Sequence, residues 1–299
     1  TQRVKALVSP GSRKPQEAIA HLAEYARLGL VWNIPGDPVL KVLVAEPAFA
    51  PVAARLAENA QPVGQVTRVA TLGPAGAVNE GVAPDGDRWL VSAVAGRSII
   101  RVGAAGRSDL LTPDTETAGL FGLATDAPRG VLWAAESRGP GIPGSGAPRR
   151  TGLLKLSLKD GRVLARFLVP DDGEDHQIGD VTVDDDGTVY ASDSIGAVIY
   201  RLLPGEAQLK PFLTTKDMAS PQGMAICPGT GSMVIADYST GLHRLDLKTG
   251  VLTPVGGLRA ALAGTDGLFR VEYDFRMRSA SPHPVALVAV QNGVSPQRL

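Results

Sequence analysis

Several residue types that would support particular functions are scarce in this sequence. Its 299 residues include one cysteine, Cys227, which excludes an intramolecular disulfide and a zinc site built on paired cysteines. No uncharged apolar run reaches the roughly 18 residues that a membrane-spanning helix needs. The 30 basic and 30 acidic residues balance, so the chain lacks the basic surplus typical of nucleic-acid-binding proteins. We therefore expect neither nucleic acid nor a membrane among its partners.

The first part of the chain, residues 1–62, has the pattern of a helical segment. Alanine, leucine and glutamate recur at helical spacing over residues 16–30 and 47–59, which predicts two or three short helices. Asp37 before Pro38 is a predicted N-cap between them. Residues 37–60 resemble one degenerate tetratricopeptide-like repeat, and an ordinary helical hairpin is the alternative.

The second part, residues 63–299, consists of short apolar runs separated by glycine, proline and aspartate, which is typical of an all-β chain. One unit recurs five times, and its copies start 41, 58, 43 and 44 residues apart. The long interval contains a Gly/Pro/Ser-rich insertion at residues 138–150, which we predict to be a loop. Each unit contains runs for up to four antiparallel strands, which is the pattern of a β-propeller blade.

The blade count follows from the register of these units. Residues 64–72 have the pattern of a strand that precedes the first unit, and Arg298 falls where earlier units are still within their third strand. We therefore predict a mainly β protein, a six-bladed β-propeller whose last blade is incomplete in this chain and is closed by residues 64–72. A five-bladed ring is the alternative.

The start of each innermost strand faces one mouth of a propeller's central channel. The corresponding residues are Glu80, Phe121, Gly179, Gln222 and Asp266, with Asp180 next to the third of them. The carboxylates and the amide form an oxygen-rich ring, which suits calcium better than zinc. The alternative is that these residues only begin strands or form turns.

The blade motifs resemble those of a known superfamily. They are Glu-Gly-Val, Gly-Asp-Val-Thr-Val-Asp-Asp-Asp-Gly-Thr-Val-Tyr, Pro-Gln-Gly-Met-Ala, Asp-Gly-Leu and the final Ala-Val-Gln-Asn-Gly-Val-Ser-Pro-Gln-Arg-Leu. Over residues 64–299 the chain resembles the gluconolactonase/regucalcin-like (senescence-marker-protein type) six-bladed propellers, which are related to paraoxonase-like lactonases. The resemblance implies an axial Ca²⁺, or another divalent cation, bound by Glu80 and Asp266 with Gln222 as an amide ligand. Asp180 is a further acidic ligand candidate.

The resemblance also implies metal-assisted hydrolysis of a lactone or ester, in which a carboxylate activates water. Asp266 is the predicted carboxylate and Asp180 is the alternative. Two positions depart from the family pattern, because Gly179 removes an amide ligand and Phe121 replaces a proposed histidine base. These departures favour a second hypothesis, a non-catalytic propeller that binds a small ligand, or a protein partner through the N-terminal helices.

The remaining candidates carry less weight. His176 precedes an innermost strand and would be a proton carrier at the mouth, or else a hydrogen-bonded loop histidine. Cys227 is predicted to be buried rather than nucleophilic. No Gly-x-Ser-x-Gly elbow supports a serine hydrolase. The resemblance favours a periplasmic or secreted protein over a cytoplasmic one.

Overall fold

The computed structural model describes residues 14–73, 78–104, 106–111, 116–138, 150–256, 261–272 and 285–299. Two helices come first, α1 (Pro15–Arg27) and α2 (Ala50–Asn59), with 3-10 turns at Leu40–Ala45 and Pro47–Phe49 between them. No helix in these ranges is long and apolar enough to cross a membrane. The predicted insertion lies mostly at residues 139–149, outside the described residues.

The helical segment has a core of its own. Apolar side chains from both helices and from the turns form it: Ala18, Ile19, Leu22, Ala26, Ile34, Leu40, Leu43, Phe49, Val52 and Leu56. Beyond the end of α1, Gly29 adopts a φ of +76°, a left-handed conformation that glycine takes at little cost. Asn59 at the end of α2 donates from Nδ2 to the carbonyl oxygens of Ala26 and Leu30, at 2.7 and 2.9 Å. The two helix ends are therefore joined.

The rest of the described chain forms four four-stranded sheets and one two-stranded sheet, each built from consecutive antiparallel strands. We call these sheets blades 1 to 5. Blades 1 and 2 contain β1 (Asn79–Asp85), β2 (Arg88–Ala93), β3 (Ser98–Gly103) and β4 (Gly106–Leu111), then β5 (Gly119–Asp126), β6 (Val131–Ser137), β7 (Gly152–Ser157) and β8 (Val163–Leu168). Blades 3 to 5 contain β9 (Ile178–Val183), β10 (Val189–Asp193), β11 (Val198–Leu202) and β12 (Lys210–Thr214), then β13 (Pro221–Cys227), β14 (Ser232–Asp237), β15 (Gly241–Asp246) and β16 (Leu252–Pro254), then β17 (Thr265–Glu272) and β18 (Val285–Gln291). The innermost strands β1, β5, β9, β13 and β17 lie side by side in that order.

A register irregularity of the β-bulge type occurs at the same place in every innermost strand. In blade 1 it falls between Asn79 and Val82, and in blade 5 between Thr265 and Leu268. Pairing with the second strand resumes at the equivalent residues Val82, Leu123, Met224 and Leu268, and in blade 3 one residue earlier, at Asp180. A bulge turns side chains away from the regular alternation of a strand. The repeat that was aligned from the sequence is therefore also equivalent in the structure.

Glycines allow the innermost strands to approach one another closely. A β-carbon built on Gly81, Gly122 or Gly223 would lie 2.4, 2.1 or 2.3 Å from an atom of the neighbouring innermost strand. These distances are well inside van der Waals contact, so a larger residue would push the strands apart.

Each blade after the first buries one face against the blade before it. On that face, Leu123, Val181, Met224 and Leu268 are 3–7% exposed. The equivalent residue of blade 1, Val82, is 40% exposed. No other described blade packs against this face of blade 1, which explains the difference.

The opposite face of blade 5 is open as well. Phe269 is 40% exposed, whereas its equivalents Ala83 and Ala225 are buried against the following blade and Ala124 and Thr182 are half-buried. Trp89, beside Val82 on blade 1, is 48% exposed. The described residues therefore leave one interface between neighbouring blades unmade, the one between blades 5 and 1.

Buried carboxylates connect the loop before a blade to the turn after its second strand. Asp237 accepts hydrogen bonds from the backbone N–H groups of Ala219 and Ser220 on one side and of Ser239 and Thr240 on the other, at 2.7–3.0 Å. Burial alone would raise the pKa of Asp237, but these donors hold it below its usual value. Blade 3 repeats this arrangement with a buried aspartate at the end of β10.

One detail of the predicted ring closure is wrong. Residues 61–73 form no strand, and Val63, Val66 and Val69 are 80–98% exposed. Within the described residues blade 5 consists of β17 and β18, and neither strand pairs with residues 61–73. Arg298 pairs with Gln291 as the first residue of a third strand would, which agrees with its predicted place within a third strand.

Candidate functional site

The predicted site residues line one cavity of about 810 Å³ at the centre of the ring. Glu80 comes from β1, Asp180 from β9, Gln222 from β13 and Asp266 from β17. We call these four residues the axial cluster. Residues more than forty positions apart meet here because each occupies the same bulge in its own blade. Val82, Trp89 and Phe269 also line the cavity, so it opens onto the uncovered faces of blades 1 and 5.

Asp180 differs from the other members because it occupies the position that is glycine in the other four blades. Its carboxylate lies against Gly122 of blade 2, and the backbone N–H of Met224 donates to its Oδ2 at 3.2 Å. Burial raises the pKa of Asp180 to about 7, and the charges of Asp266 and Glu80 add to the rise. Asp180 lines the cavity on one side and is half-buried overall. Near neutral pH this carboxyl is therefore poised between its charged and neutral forms.

Glu80 and Asp266 interact electrostatically across the cavity. Burial raises the pKa of Glu80, and the charge of Asp266 raises it further. Asp266 also accepts a hydrogen bond at its Oδ2 from Asn292 Nδ2, at 2.5 Å. Asn292 follows β18 and lines the same cavity, and sequence reasoning did not single it out. The only sequence feature that pointed to it was its place in the Ala-Val-Gln-Asn-Gly motif.

Gln222 lies beside Gly179, and both line the cavity. Gln222 donates from Nε2 to Ser220 Oγ at 2.8 Å. A β-carbon on Gly179 would lie 3.3 Å from Gln222 Oε1. Because Gly179 has no side chain, the space next to the amide oxygen of Gln222 is open.

Phe121 does not take part in the site. Its ring is buried in the core between blades 2 and 3 with Ile178 and Val181, and it does not line the cavity. The prediction that all five strand-start side chains share the axis is therefore wrong for this blade. An aromatic ring gains more from the apolar core than from a polar channel, and the bulge permits that orientation.

The donor set fits a hard cation in its chemistry. Three carboxylates and an amide oxygen are ligands that Ca²⁺ prefers, and a cation among them would relieve the mutual repulsion that raises the pKa of Glu80. The distances between these side chains fit a bound cation less well than their chemical types do. Within the described ranges, no three histidine, cysteine, aspartate or glutamate side chains lie close enough to hold a metal ion. The acidic residues therefore share a cavity without forming a closed ligand shell.

A second cavity of about 610 Å³ continues from the first along the innermost strands. Leu123, Asp180, Phe269 and Arg270 line both cavities. The second cavity is also lined by residues further along the strands, such as Thr125 and Val183 and their neighbours. Asp180 therefore lies where the two parts of the central channel meet.

His176 is held away from the axial cavity. Its Nδ1 lies 2.5 Å from Asp193 Oδ2, and its Nε2 lies 2.9 Å from Asp172 Oδ1. Burial alone would lower the pKa of His176, but the two carboxylates outweigh burial and raise it. Both ring nitrogens are engaged, so the structure supports the hydrogen-bonded loop histidine rather than the proton carrier. Cys227 is a free, half-buried thiol.

The blades arranged around one channel define a β-propeller. The sequence matches no protein-family model and no curated protein. Solved structures do match. Virginiamycin B lyase from Staphylococcus aureus, solved as a catalytically inactive variant with quinupristin, aligns with a TM-score of 0.51 and 15% identity over 66% of this chain and 61% of that one.

Two further structures give the same result. Selenomethionine-substituted virginiamycin B lyase from Staphylococcus aureus aligns with a TM-score of 0.50 and 16% identity, over 67% of this chain and 62% of that one. A chain of the nidogen/laminin complex aligns with a TM-score of 0.50 and 15% identity, over 64% of this chain and 68% of that one. The alignments with the lyase span less than two thirds of its length. The predicted propeller fold is confirmed, whereas these likenesses do not show the gluconolactonase/regucalcin-like superfamily.

Proposed function

We propose that this protein binds a divalent cation, Ca²⁺ by preference, at the axial cluster and hydrolyses a lactone or ester there. The observation that carries the proposal is the convergence of Glu80, Asp180 and Asp266, from three different blades, on one cavity. Such a group of carboxylates repels itself unless a cation balances it. Oxygen donors of this kind favour calcium over zinc.

The roles of the residues follow from their contacts. Glu80, Asp180, Gln222 and Asp266 would hold the cation, which when bound supplies Lewis-acid polarisation of a carbonyl oxygen. Asp266 is the proposed general base for water, and the hydrogen bond from Asn292 orients its carboxylate. Asp180 is the alternative base.

The proposal includes a sixth blade between blades 5 and 1. Supporting it are the two unpartnered apolar faces, with Val82 and Trp89 on one side and Phe269 on the other. The equivalents of Val82 in the other blades are buried by a neighbouring sheet, and those of Phe269 are buried or half-buried. A sheet packs about 10 Å from its neighbour, so one further blade would cover both faces and close the wall of the channel.

Calcium titration by isothermal calorimetry tests the cation site. The parent is expected to bind Ca²⁺, and Glu80→Gln and Asp266→Asn are each expected to weaken binding at least about tenfold, because each removes a charged ligand. Glu174→Gln is the matched control, since it neutralises an exposed loop carboxylate outside the cavity. A folded parent that binds no Ca²⁺, or binding that both axial variants retain, would overturn the cation site.

Hydrolysis is tested separately with a panel of lactones and esters, followed by acid release at constant pH. Turnover should require the cation, stop in chelator and return when Ca²⁺ is restored. It should also be lost in Asp266→Asn if that carboxylate is the base. Tight cation binding without turnover of any panel member would contradict the hydrolase and retain the site.

A second candidate is the non-catalytic propeller that binds a partner through its helical segment. An apolar groove of about 480 Å³ in that segment favours it, and Trp32, Phe49 and Leu56 are among the lining residues. The absence of a closed ligand shell in the described residues also favours it. This candidate would gain support from a folded parent that neither binds Ca²⁺ nor hydrolyses the panel.

A further inference from the structure

The chain after β18 forms a closed loop that touches both the axial cluster and the helical segment. Gln291 and Arg298 exchange two backbone hydrogen bonds, at 2.8 and 3.1 Å, so residues 292–297 are enclosed between them. We call residues 292–298 the closing loop. Its first residue, Asn292, donates to Asp266 in the cavity. Its last residue, Arg298, contacts the helical segment at Leu28 and Gly29.

Arg298 connects the closing loop to the end of α1. Its Nε donates to Gln291 Oε1 at 2.6 Å, and its guanidinium lies 3.3–3.4 Å from the carbonyl oxygens of Leu28 and Gly29. The last carbonyl groups of a helix lack partners within the helix, and a cation is favourable at that end of its dipole. Ser295 adds a second connection, because its carbonyl oxygen accepts the N–H of Val31 at 2.7 Å.

The connection depends on a glycine in the helical segment. A β-carbon on Gly29 would lie 2.7 Å from Arg298 Nη1, and its φ of +76° is one that other residues rarely adopt. Gly29 therefore both ends α1 and leaves room for the guanidinium. The same residue sets the helix end and the contact with the propeller.

We propose that Arg298 and Asn292 are positioning residues through which the helical segment controls the axial site. The end of α1 holds Arg298, Arg298 closes the loop against Gln291, and the closed loop keeps Asn292 on the carboxylate of Asp266. The helical segment is thus a support for one face of the site. This inference rests on the proposed function, because the affinity it controls is that of the axial cation.

The test is calcium titration of the full chain with variants along this path. Asn292→Ala should weaken Ca²⁺ binding about tenfold, as loss of a partner that orients a ligand commonly does. Arg298→Ala and Gly29→Ala should each weaken it about threefold, since they act through the loop. Arg298→Lys keeps the positive charge near the helix end and should lie closer to the parent. Arg244→Ala, which removes an arginine from the third strand of blade 4, is the matched control and should leave the affinity unchanged.

A structural readout accompanies the affinities. The side-chain amide resonances of Asn292 should shift in Arg298→Ala and stay in place in Arg244→Ala, which separates loss of positioning from general loosening. Gly29→Ala keeps the proposal testable if Arg298→Ala fails to fold. If the parent binds Ca²⁺ and the affinity is unchanged in Arg298→Ala, Gly29→Ala and Asn292→Ala, the proposed influence of the helical segment on the site is overturned. The cation site itself is then retained. A parent that binds no Ca²⁺ would overturn both.

Discussion

Replacing Gly223 by alanine is expected to destabilise the protein and to displace Asp266. The φ of Gly223 lies outside the left-handed region, so alanine by itself would favour folding by about 0.5–1 kcal/mol. The added β-carbon would lie 2.3 Å from the backbone nitrogen of Leu268 and 2.7 Å from the carbonyl oxygen of Asp266. Both atoms belong to the backbone of β17, so no side-chain rotation relieves the contact. Overpacking typically costs about 1–3 kcal/mol, and a net loss of about 2 kcal/mol is expected because a backbone has to move.

Urea unfolding measures this loss. With a slope of about 2–3 kcal/mol per molar urea, the midpoint should fall by roughly 0.7–1 M at an unchanged slope. Calcium affinity should fall too, because β17 carries Asp266. Gly256→Ala is the matched control, since no atom lies within 4 Å of its added β-carbon, and a small gain in stability is expected there. Equal stability of Gly223→Ala and Gly256→Ala would contradict the close packing of the innermost strands at Gly223.

Three further predictions concern stability. Asp237→Ala should cost about 3 kcal/mol because it removes a buried carboxylate that accepts hydrogen bonds from four backbone N–H groups, whereas Asp246→Ala, at an exposed turn, should change the midpoint far less. The pKa of His176 is raised in the fold, so its contribution is fully present below the unfolded pKa of about 6.5 and is lost as the pH rises through the folded pKa. As the pH rises above about 6.5, the unfolding free energy should therefore fall more steeply in the parent than in His176→Gln, and equal slopes would refute this. Trp133→Ala should lower the free energy of unfolding by about 3–5 kcal/mol, and Trp89→Ala, at a half-exposed side chain, by only about 1 kcal/mol. The difference between the two losses should be smaller in a chain in which a sixth blade covers Trp89.

The repeat and its register could be predicted from the sequence because they rest on local pattern. Gly81, Gly122 and Gly223 recur at the blade period, and the structure shows them at equivalent bulges between innermost strands. Apolar runs bounded by turn residues define strands wherever a neighbouring strand is available. The same alignment predicted that Glu80 and Asp266 share one site. In the structure both line one cavity, although they lie far apart in the chain.

The site was predicted only in part, because a register position does not determine where a side chain points. Phe121 shares the register of Glu80 but turns into the core, where its ring loses contact with water. The sequence predicted Asp180 only as an additional acidic residue next to Gly179. In the structure Asp180 occupies the position that is glycine in the other blades, and its carboxylate lies against Gly122. Asn292 was missed because its role depends on a loop that folds back on Asp266.

Local sequence pattern was enough to specify the helical segment, the strands and the five-fold repeat, since each depends on residues that are near one another in the chain. Tertiary structure alone decided the rest. Residues 64–72 form no strand because no strand of the described residues pairs with them, and Val82 is exposed because no sheet within those residues covers it. The raised pKa of Asp180 likewise arises from burial and from charges on other blades. Strand pairing, burial and electrostatics each require a partner from elsewhere in the chain, and only the folded arrangement supplies it.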